Sequence, residues 1–176
     1  MRKVLKNRKG FTLVELLAVI VILALIMGIA VAAMSGVIRD SQENSARRTA
    51  ASLIDGVRSR LTLEGELRTG TYYFTNVILE RGGKTSPLGG DYKYATTKPE
   101  GATDVATGVY KAATMVSNDT CSDDTAQAFV NITVADGQKA EYFICLPSGK
   151  GNEYVAGSET DILADADDVI KSATSE

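Results

Sequence analysis

The chain has 176 residues, a length that suits one modest domain plus a membrane segment. Of its 19 Lys and Arg, five lie within the first ten positions, so the remainder holds 14 basic against 22 acidic side chains. An acidic body repels phosphate backbones, which argues against sequence-independent binding of nucleic acid. The sequence has no His, the residue most often used as a general base or metal ligand.

Residues 1–10 form a basic leader without an acidic residue, and the segment from Leu16 to Ile38 that follows carries no charge. As a helix, this uncharged segment would be roughly 35 Å long, enough to cross a hydrocarbon core of about 30 Å. Basic residues in front of a span hold the amino terminus in the cytoplasm. We therefore predict a transmembrane segment over residues 11–38.

The helical pattern continues beyond the span, over residues 39–64, which contain no proline. Apolar residues recur there at helical spacing, with Arg and Asp on the opposite face. The recurring positions are Ala46, Ala50, Leu53, Ile54, Val57 and Leu61. We predict one helix from about Phe11 to about Leu63, apolar all round in its first half and packed on a globular domain through one stripe in its second half.

Residues 65–148 predict a β-sheet domain, because runs rich in aromatic and β-branched residues alternate with turn material. The runs are TYYFTNVIL, DYKYATT, GVYKAATMV, QAFVNITVAD and KAEYFICLP, and Asp136-Gly137 predicts a hairpin between the last two. We expect an α+β fold in which an antiparallel sheet of about four or five strands lies on the helix stripe. Residues 149–176 are predicted as an acidic C-terminal tail, with either a short helix or no regular structure over residues 165–173.

The stretch KGFTLVELL, from Lys9 to Leu17, marks the boundary between the leader and the span. The leader ends in Gly10, Phe11 begins a short apolar stretch, and Glu15 places an acid just before the long apolar run. This stretch resembles the type IV prepilin signal, a class III secretory signal, over about the first 40 residues. The resemblance implies a pilin fold, cleavage between Gly10 and Phe11 by a membrane-embedded prepilin peptidase, and N-methylation of Phe11.

Glu15 needs a partner, since a carboxylate costs about 2.5–3.5 kcal/mol at the centre of a membrane helix. Cleavage after Gly10 would create a cationic amine on Phe11, four residues earlier and on the same helix face. Glu15 is therefore predicted to neutralise its own amine in the monomer and the amine of an adjacent subunit in a filament, which would set the axial register. The alternative is that Glu15 only reaches the headgroups and has no assembly role.

Two other interpretations of the amino terminus compete with a prepilin signal. Ala30-Val31-Ala32 fits the cleavage site of an ordinary secretory signal, but Glu15 interrupts that pattern and the apolar run exceeds the usual 7–15-residue core. A permanent single-span anchor shares every feature except the cut. Unlike many type IV pilins, this segment lacks a proline midway along the span.

Cys121 and Cys145 lie far beyond the span, where an exported domain can form a disulfide. Many pilins carry one disulfide late in the globular domain, so the resemblance favours this bond, which would close a loop of about 25 residues worth roughly 3 kcal/mol. The alternative is two free thiols. Two cysteines without His argue against a zinc site, and we expect no metal site and no cofactor.

Other candidate chemistry is weak. Gly83-Lys84-Thr85 lacks the first glycine of a phosphate-binding loop and is interpreted as a turn. Asp161, Asp165, Asp167 and Asp168 lack the spacing of a calcium loop and are interpreted as a solvated face. Since no pairing of a nucleophile with a base is visible, we do not expect an enzyme.

The resemblance implies a structural subunit of a type IV pilus that forms a helical homo-oligomer through its amino-terminal helix and serves adhesion and motility. Its expected partners are the prepilin peptidase, a pilus assembly platform and the membrane. Before assembly the chain would be a single-pass protein of the cytoplasmic membrane with its head outside, and afterwards part of a surface pilus. The main alternative is a pseudopilin of a competence (DNA-uptake) or type II-like secretion apparatus, and a third is an anchored binding module that never polymerises.

Overall fold

The computed structural model describes residues 12–63, 69–79, 84–113, 121, 127–134, 139–148, 153–164 and 168–172. The chain divides into two compact units, residues 1–40 and 41–176. One helix, α1, runs from Leu13 to Leu63, close to the bounds predicted from the sequence. Phe11, the predicted first residue of the helix, lies outside the described residues.

The part of α1 in the first unit is apolar and exposed on every side. Each large apolar side chain from Leu13 to Ile38 is about half exposed or more, up to 80% at Leu13. Among the described residues, α1 alone has the length and apolar composition to cross a membrane. No described residue of the first unit covers these side chains, so their burial depends on the surroundings of the chain.

In the second unit, α1 buries the stripe that its sequence predicts. Ala46, Ala50, Ile54, Val57 and Leu61 are at most 3% exposed and follow one another at intervals of three or four residues. Leu53, at the edge of the stripe, is half-buried.

Arg47 departs from the prediction that the arginines lie on the polar face, since it is 9% exposed. It follows Ala46 directly, and the long methylene stem of an arginine can cover apolar surface at the margin of such a stripe.

Within the described residues, seven strands form one antiparallel sheet in the order β2-β3-β1-β4-β5-β6-β7. The strands are β1 (Gly70–Phe74), β2 (Thr103–Ala106), β3 (Val109–Lys111), β4 (Phe129–Thr133), β5 (Glu141–Pro147), β6 (Glu153–Ser158) and β7 (Ile170–Ser172). Two short helices accompany them, α2 (Asn76–Leu79) and α3 (Glu159–Leu163).

The inner face of the sheet forms the main core together with the stripe of α1. Because side chains alternate along a strand, Tyr72 of β1, Val130 of β4 and Ile144 of β5 are cross-strand neighbours on this face. All three are at most 1% exposed and share one apolar cluster with Ile54 of α1. The predicted α+β architecture, a long helix packed on an antiparallel sheet, is confirmed.

The sheet extends beyond residue 148, where the sequence predicted its end. Strands β6 and β7 lie in the segment predicted as an acidic tail, and Val155 and Val169 from that segment are at most 1% exposed. β7 is short, and buried residues do not alternate with exposed ones along β6, so neither strand shows the period of two that predicts a strand. Pairing of β6 with β5, and of β7 with β6, sets their place in the sheet, which their own composition does not indicate.

Two other runs that were predicted as strands differ from the prediction in the structure. The run TYYFTNVIL is a strand only as far as Phe74, because Asn76–Leu79 form α2. DYKYATT contains no strand and makes only isolated bridges at Asp91 and Ala95. By contrast, β4 and β5 pair as predicted from Phe129↔Cys145 to Thr133↔Glu141, while the turn residues Asp136 and Gly137 lie outside the described residues.

Candidate assembly site at the start of the long helix

Thr12 and Glu15 form a reciprocal hydrogen-bonded pair where α1 begins. The backbone N–H and the hydroxyl of Thr12 donate to Glu15 Oε2, at 2.9 and 3.0 Å. The backbone N–H of Glu15 donates in return to Thr12 Oγ1 at 3.3 Å. This is a capping box, in which Thr12 is the N-cap residue and Glu15 the third residue of the helix.

The capping box satisfies backbone groups that a helix end leaves without partners. The first N–H groups of a helix have no intrahelical acceptor, and leaving one unsatisfied in an apolar environment costs several kcal/mol. Thr12 accepts from Glu15 through its side chain and from the N–H of Leu16 through its carbonyl, at 3.2 Å. A carboxylate in the first turn also complements the positive end of the helix dipole.

The sequence analysis predicted a partner for Glu15, and the structure places Thr12 beside it. Thr12 was missed although the pattern Thr-x-x-Glu before an apolar run is the sequence signature of a capping box. Gly10 and Phe11, the predicted cleavage and methylation residues, lie outside the described residues. The pairing of Glu15 with an amine therefore stays a prediction.

Cys121 and Cys145 form the disulfide that the sequence favoured. Cys145 lies on the outer face of β5, fully buried, beside its cross-strand neighbours Phe129 of β4 and Ala156 of β6. Together with Cys121, these residues make a second apolar cluster on the face of the sheet opposite α1. The bond thus ties the connection between β3 and β4 to the centre of the sheet.

Of the other residues singled out in the sequence, Gly83, Asp165 and Asp167 lie outside the described residues, while Asp161 and Thr85 have local structural roles. Asp161 completes a capping box with Ser158 at the start of α3, accepting from the Ser158 N–H at 3.3 Å. Thr85 bridges to Asp91 within a loop. Across the described residues, no group of three or more His, Cys, Asp or Glu is placed to hold a metal ion.

In a comparison with known protein families, residues 5–31 match the family described as the prokaryotic N-terminal methylation motif. The matched segment contains the second part of the leader with Gly10, then Phe11, the capping box and most of the exposed apolar part of α1. No curated protein and no solved structure matches the chain. The motif implies processing by a peptidase and assembly at the membrane, and the family is structural rather than enzymatic. The chain carries a type IV prepilin-like class III signal, and this motif supports a protein of the pilin or pseudopilin type.

Proposed function

We propose that this protein is a structural subunit of a type IV pilus that polymerises through the apolar half of α1 and serves surface adhesion and motility. The observation that carries the proposal is the exposure of that half, since every large apolar side chain from Leu13 to Ile38 is about half exposed or more. A soluble protein rarely exposes so long an apolar surface. Lipid would cover it before assembly, and helices of other subunits would cover it in a filament.

The charge pattern supports a membrane-bound precursor. The basic leader precedes the apolar segment, an order that retains the amino terminus in the cytoplasm and places the sheet domain outside. The disulfide fits that location, because such bonds persist in oxidising compartments. In this proposal the prepilin peptidase cuts between Gly10 and Phe11 and methylates Phe11, and an assembly platform then extracts the mature chain.

Glu15 supplies the polar contact between subunits in this proposal. Its carboxylate lies in the first turn of an otherwise apolar segment, where an opposite charge is the partner that offsets its desolvation. The Phe11 amine of a neighbouring subunit is such a charge after cleavage. Apolar helix faces would supply most of the association free energy, and the ion pair would select one axial register.

Processing and polymerisation are tested together on protein from its native cells. We expect mass spectrometry of the amino-terminal peptide to give a chain that starts at methylated Phe11, and sheared surface fractions to contain long filaments of this chain. A start near Ala33 would make it a secreted protein, and an intact Met1 would make it a plain anchor. Methylated Phe11 without surface filaments would favour the pseudopilin alternative.

Two variants separate the contribution of the Glu15 charge from the contribution of the Glu15 side chain to the helix cap. Glu15→Gln keeps an oxygen that accepts from Thr12, whereas Glu15→Ala removes the acceptor altogether. Because the ion pair needs the charge, we expect both variants to insert in the membrane and neither to form normal filaments. Normal filaments from Glu15→Gln would show that the cap suffices and would overturn the ion pair.

A further inference from the structure

A cleft opens in the second unit where β5 and β6 separate. The ladder between these strands begins at Phe143↔Ser158, and α3 follows Ser158 directly. Within the described residues, Glu141 and Tyr142 therefore pair with β4 on one side and with no strand on the other. The cleft beside them has a volume of about 540 Å³. Sites for small ligands usually measure about 300–1,000 Å³.

We propose that this cleft binds a neutral saccharide, a ligand that is rich in hydroxyl groups and carries no charge. The proposal rests on the proposed function and deepens it, because it names the chemistry of the surface to which the filament would adhere. The cleft lies in the sheet domain, away from the apolar half of α1 that is proposed to polymerise.

The side chains that line the cleft include both hydrogen-bond donors and acceptors. The carboxylates of Glu141 and Glu159 accept, the ammonium group of Lys139 donates, and the hydroxyls of Ser158 and Thr160 can do either. A sugar hydroxyl also donates one hydrogen bond and accepts others, so a saccharide can use the whole mixture. A phosphate group only accepts, and the two carboxylates would repel it.

The charges at the cleft balance. Arg58 pairs with Glu159, and Lys139 carries the charge opposite to that of Glu141. Asp161, the next acid along the chain, belongs to the capping box of α3 and does not line the cleft. A charged ligand would lose its hydration here without meeting an excess of opposite charge, so the described residues favour a neutral one.

Contacts within the protein hold the walls of the cleft in place. The guanidinium of Arg58 binds Oε1 of Glu159 and lies 4.5 Å from the ring centroid of Tyr142. Ser158 Oγ lies 2.7 Å from Thr160 Oγ1. In the part of the chain that the structure describes, no hydrogen bond reaches Oε2 of Glu159, which is therefore available to a ligand. Side chains that are already held lose less freedom when they bind.

An extended peptide that adds a strand to β5 is the competing occupant. Such a peptide gains most of its affinity from main-chain hydrogen bonds along an open edge. Only Glu141 and Tyr142 of β5 extend past its ladder with β6, whereas strands usually need about three residues or more. The side chains of the cleft therefore contribute more than its short open edge, which favours a saccharide.

The test is binding of the full chain in detergent to immobilised neutral, sialylated and sulfated oligosaccharides at equal density. We expect the neutral oligosaccharides to retain the chain and the charged ones to retain much less. Glu141→Gln should weaken binding about tenfold, the equivalent of one lost hydrogen bond to a charged group. Glu100→Gln is the matched control, since Glu100 is also exposed but lies outside the cleft, and it should bind as wild type does.

A second variant blocks the cleft without removing a charge. Thr160 is exposed and lines the cleft, so Thr160→Trp should fill the space and abolish binding. Its urea midpoint of unfolding should stay close to that of wild type, which separates a blocked cleft from an unfolded domain. Full binding by Thr160→Trp, or equal losses in Glu141→Gln and Glu100→Gln, would place the saccharide elsewhere and overturn the assignment.

The remaining outcomes also decide against the proposal. Retention by sialylated or sulfated oligosaccharides alone would show that the site selects charge. Immobilised extended peptides are tested in parallel, and retention by peptides alone would assign the cleft to strand addition. A chain that no oligosaccharide retains has no such site.

Failure of this site is distinguishable from failure of the proposed function, because the binding measurement needs no filaments. A chain that binds neutral oligosaccharides through the cleft but forms no surface filaments would contradict the pilus and leave the saccharide site standing. Filaments of a chain that binds no saccharide would contradict the site alone.

Discussion

Arg58 in α1 and Glu159, the first residue of α3, form an ion pair between residues 101 positions apart in sequence. The guanidinium of Arg58 also lies 4.5 Å from the ring centroid of Tyr142 in β5 and donates to Asp55 at 2.9 Å. The bond to Glu159 raises the pKa of Arg58, and burial opposes that rise only in part. One side chain thus joins the packed half of α1 to two elements of the sheet domain.

We expect Arg58→Met to lower the free energy of unfolding by about 1–3 kcal/mol, because it leaves Glu159, only 20% exposed, without its cation. The measurement is urea unfolding of the full chain in detergent. Asp55→Asn is the matched control, since Asp55 is 72% exposed and its pair with Arg58 should contribute less than about 1 kcal/mol. Equal losses in the two variants would contradict the role assigned to Glu159.

Gly108 should tolerate no side chain. It lies in the turn between β2 and β3 with φ +79°, and a Cβ there would come within 2.8 Å of Thr75 Oγ1 and 3.1 Å of Ile78 Cγ1. Thr75 is held in place, because its N–H donates to the Gly108 carbonyl at 2.9 Å. We expect Gly108→Ala to cost about 2–4 kcal/mol in thermal or urea unfolding, from backbone strain and crowding together.

Gly101→Ala is the control for Gly108→Ala, since Gly101 has a similar φ of +72° and its nearest new contact would be at 3.6 Å. Backbone strain alone should cost about 1–2 kcal/mol there. The difference between the two variants isolates the crowding against Thr75, and identical losses would show that crowding contributes nothing.

Tyr94 should make the protein less stable in alkali. Burial raises the pKa of Tyr94, and the charge of Tyr92, whose ring centroid is 5.5 Å away, raises it further. The folded state therefore holds the proton more tightly than the unfolded state, whose tyrosine pKa is about 10. Stability from this difference is fully present below pH of about 10 and is lost as pH rises from there towards the folded pKa.

Tyr94→Phe should flatten that alkaline loss, as measured by urea midpoints between pH of about 8 and 11. At neutral pH it should cost less than about 1 kcal/mol, because the buried Tyr94 hydroxyl has no hydrogen-bond partner among the described residues. An unchanged alkaline slope would assign the loss to other groups.

The disulfide should contribute about 3 kcal/mol, since Cys121 and Cys145 are separated by 24 positions. We expect the double variant Cys121→Ala/Cys145→Ala to unfold at a correspondingly lower urea concentration. Reductant should destabilise the wild-type chain by a similar amount and leave the double variant unchanged. A wild-type chain that does not respond to reductant while unfolded would contradict the bond.

Structural features that are encoded within single segments could be predicted from local patterns in the sequence. The stripe from Ala46 to Leu61 and the pairing of β4 with β5 follow from spacing that a single segment displays. The capping box at Thr12 is also a local pattern, since Thr-x-x-Glu precedes the apolar run, although the charge of Glu15 alone did not predict it.

What the sequence did not predict depends on partners distant along the chain. The chain turns away from β1 at Asn76, where α2 begins. The N–H of Asn76 donates to the carbonyl of Ala95, which lies 19 positions later in the sequence. Strand β6 has mixed composition and gains its register from β5, where Cys145↔Ala156 and Leu146↔Val155 face each other. The predicted export of the domain and the resemblance to pilins favoured the disulfide. Its location on the outer face of the sheet depends on the register of the strands, which the sequence did not predict.

The long sequence separation between α1 and the last two strands has a consequence for biosynthesis. The stripe of α1 is synthesised early, whereas Val155 and Val169, which belong to the same apolar cluster, follow roughly 100 residues later. Contacts so distant along the chain are costly in loop entropy and form late. The apolar cluster around Ile54 is therefore complete only after β6 and β7 have been synthesised. A chain truncated after β5 would lack Val155 and Val169 and leave part of that cluster uncovered, so proteases should cut it faster than the complete chain.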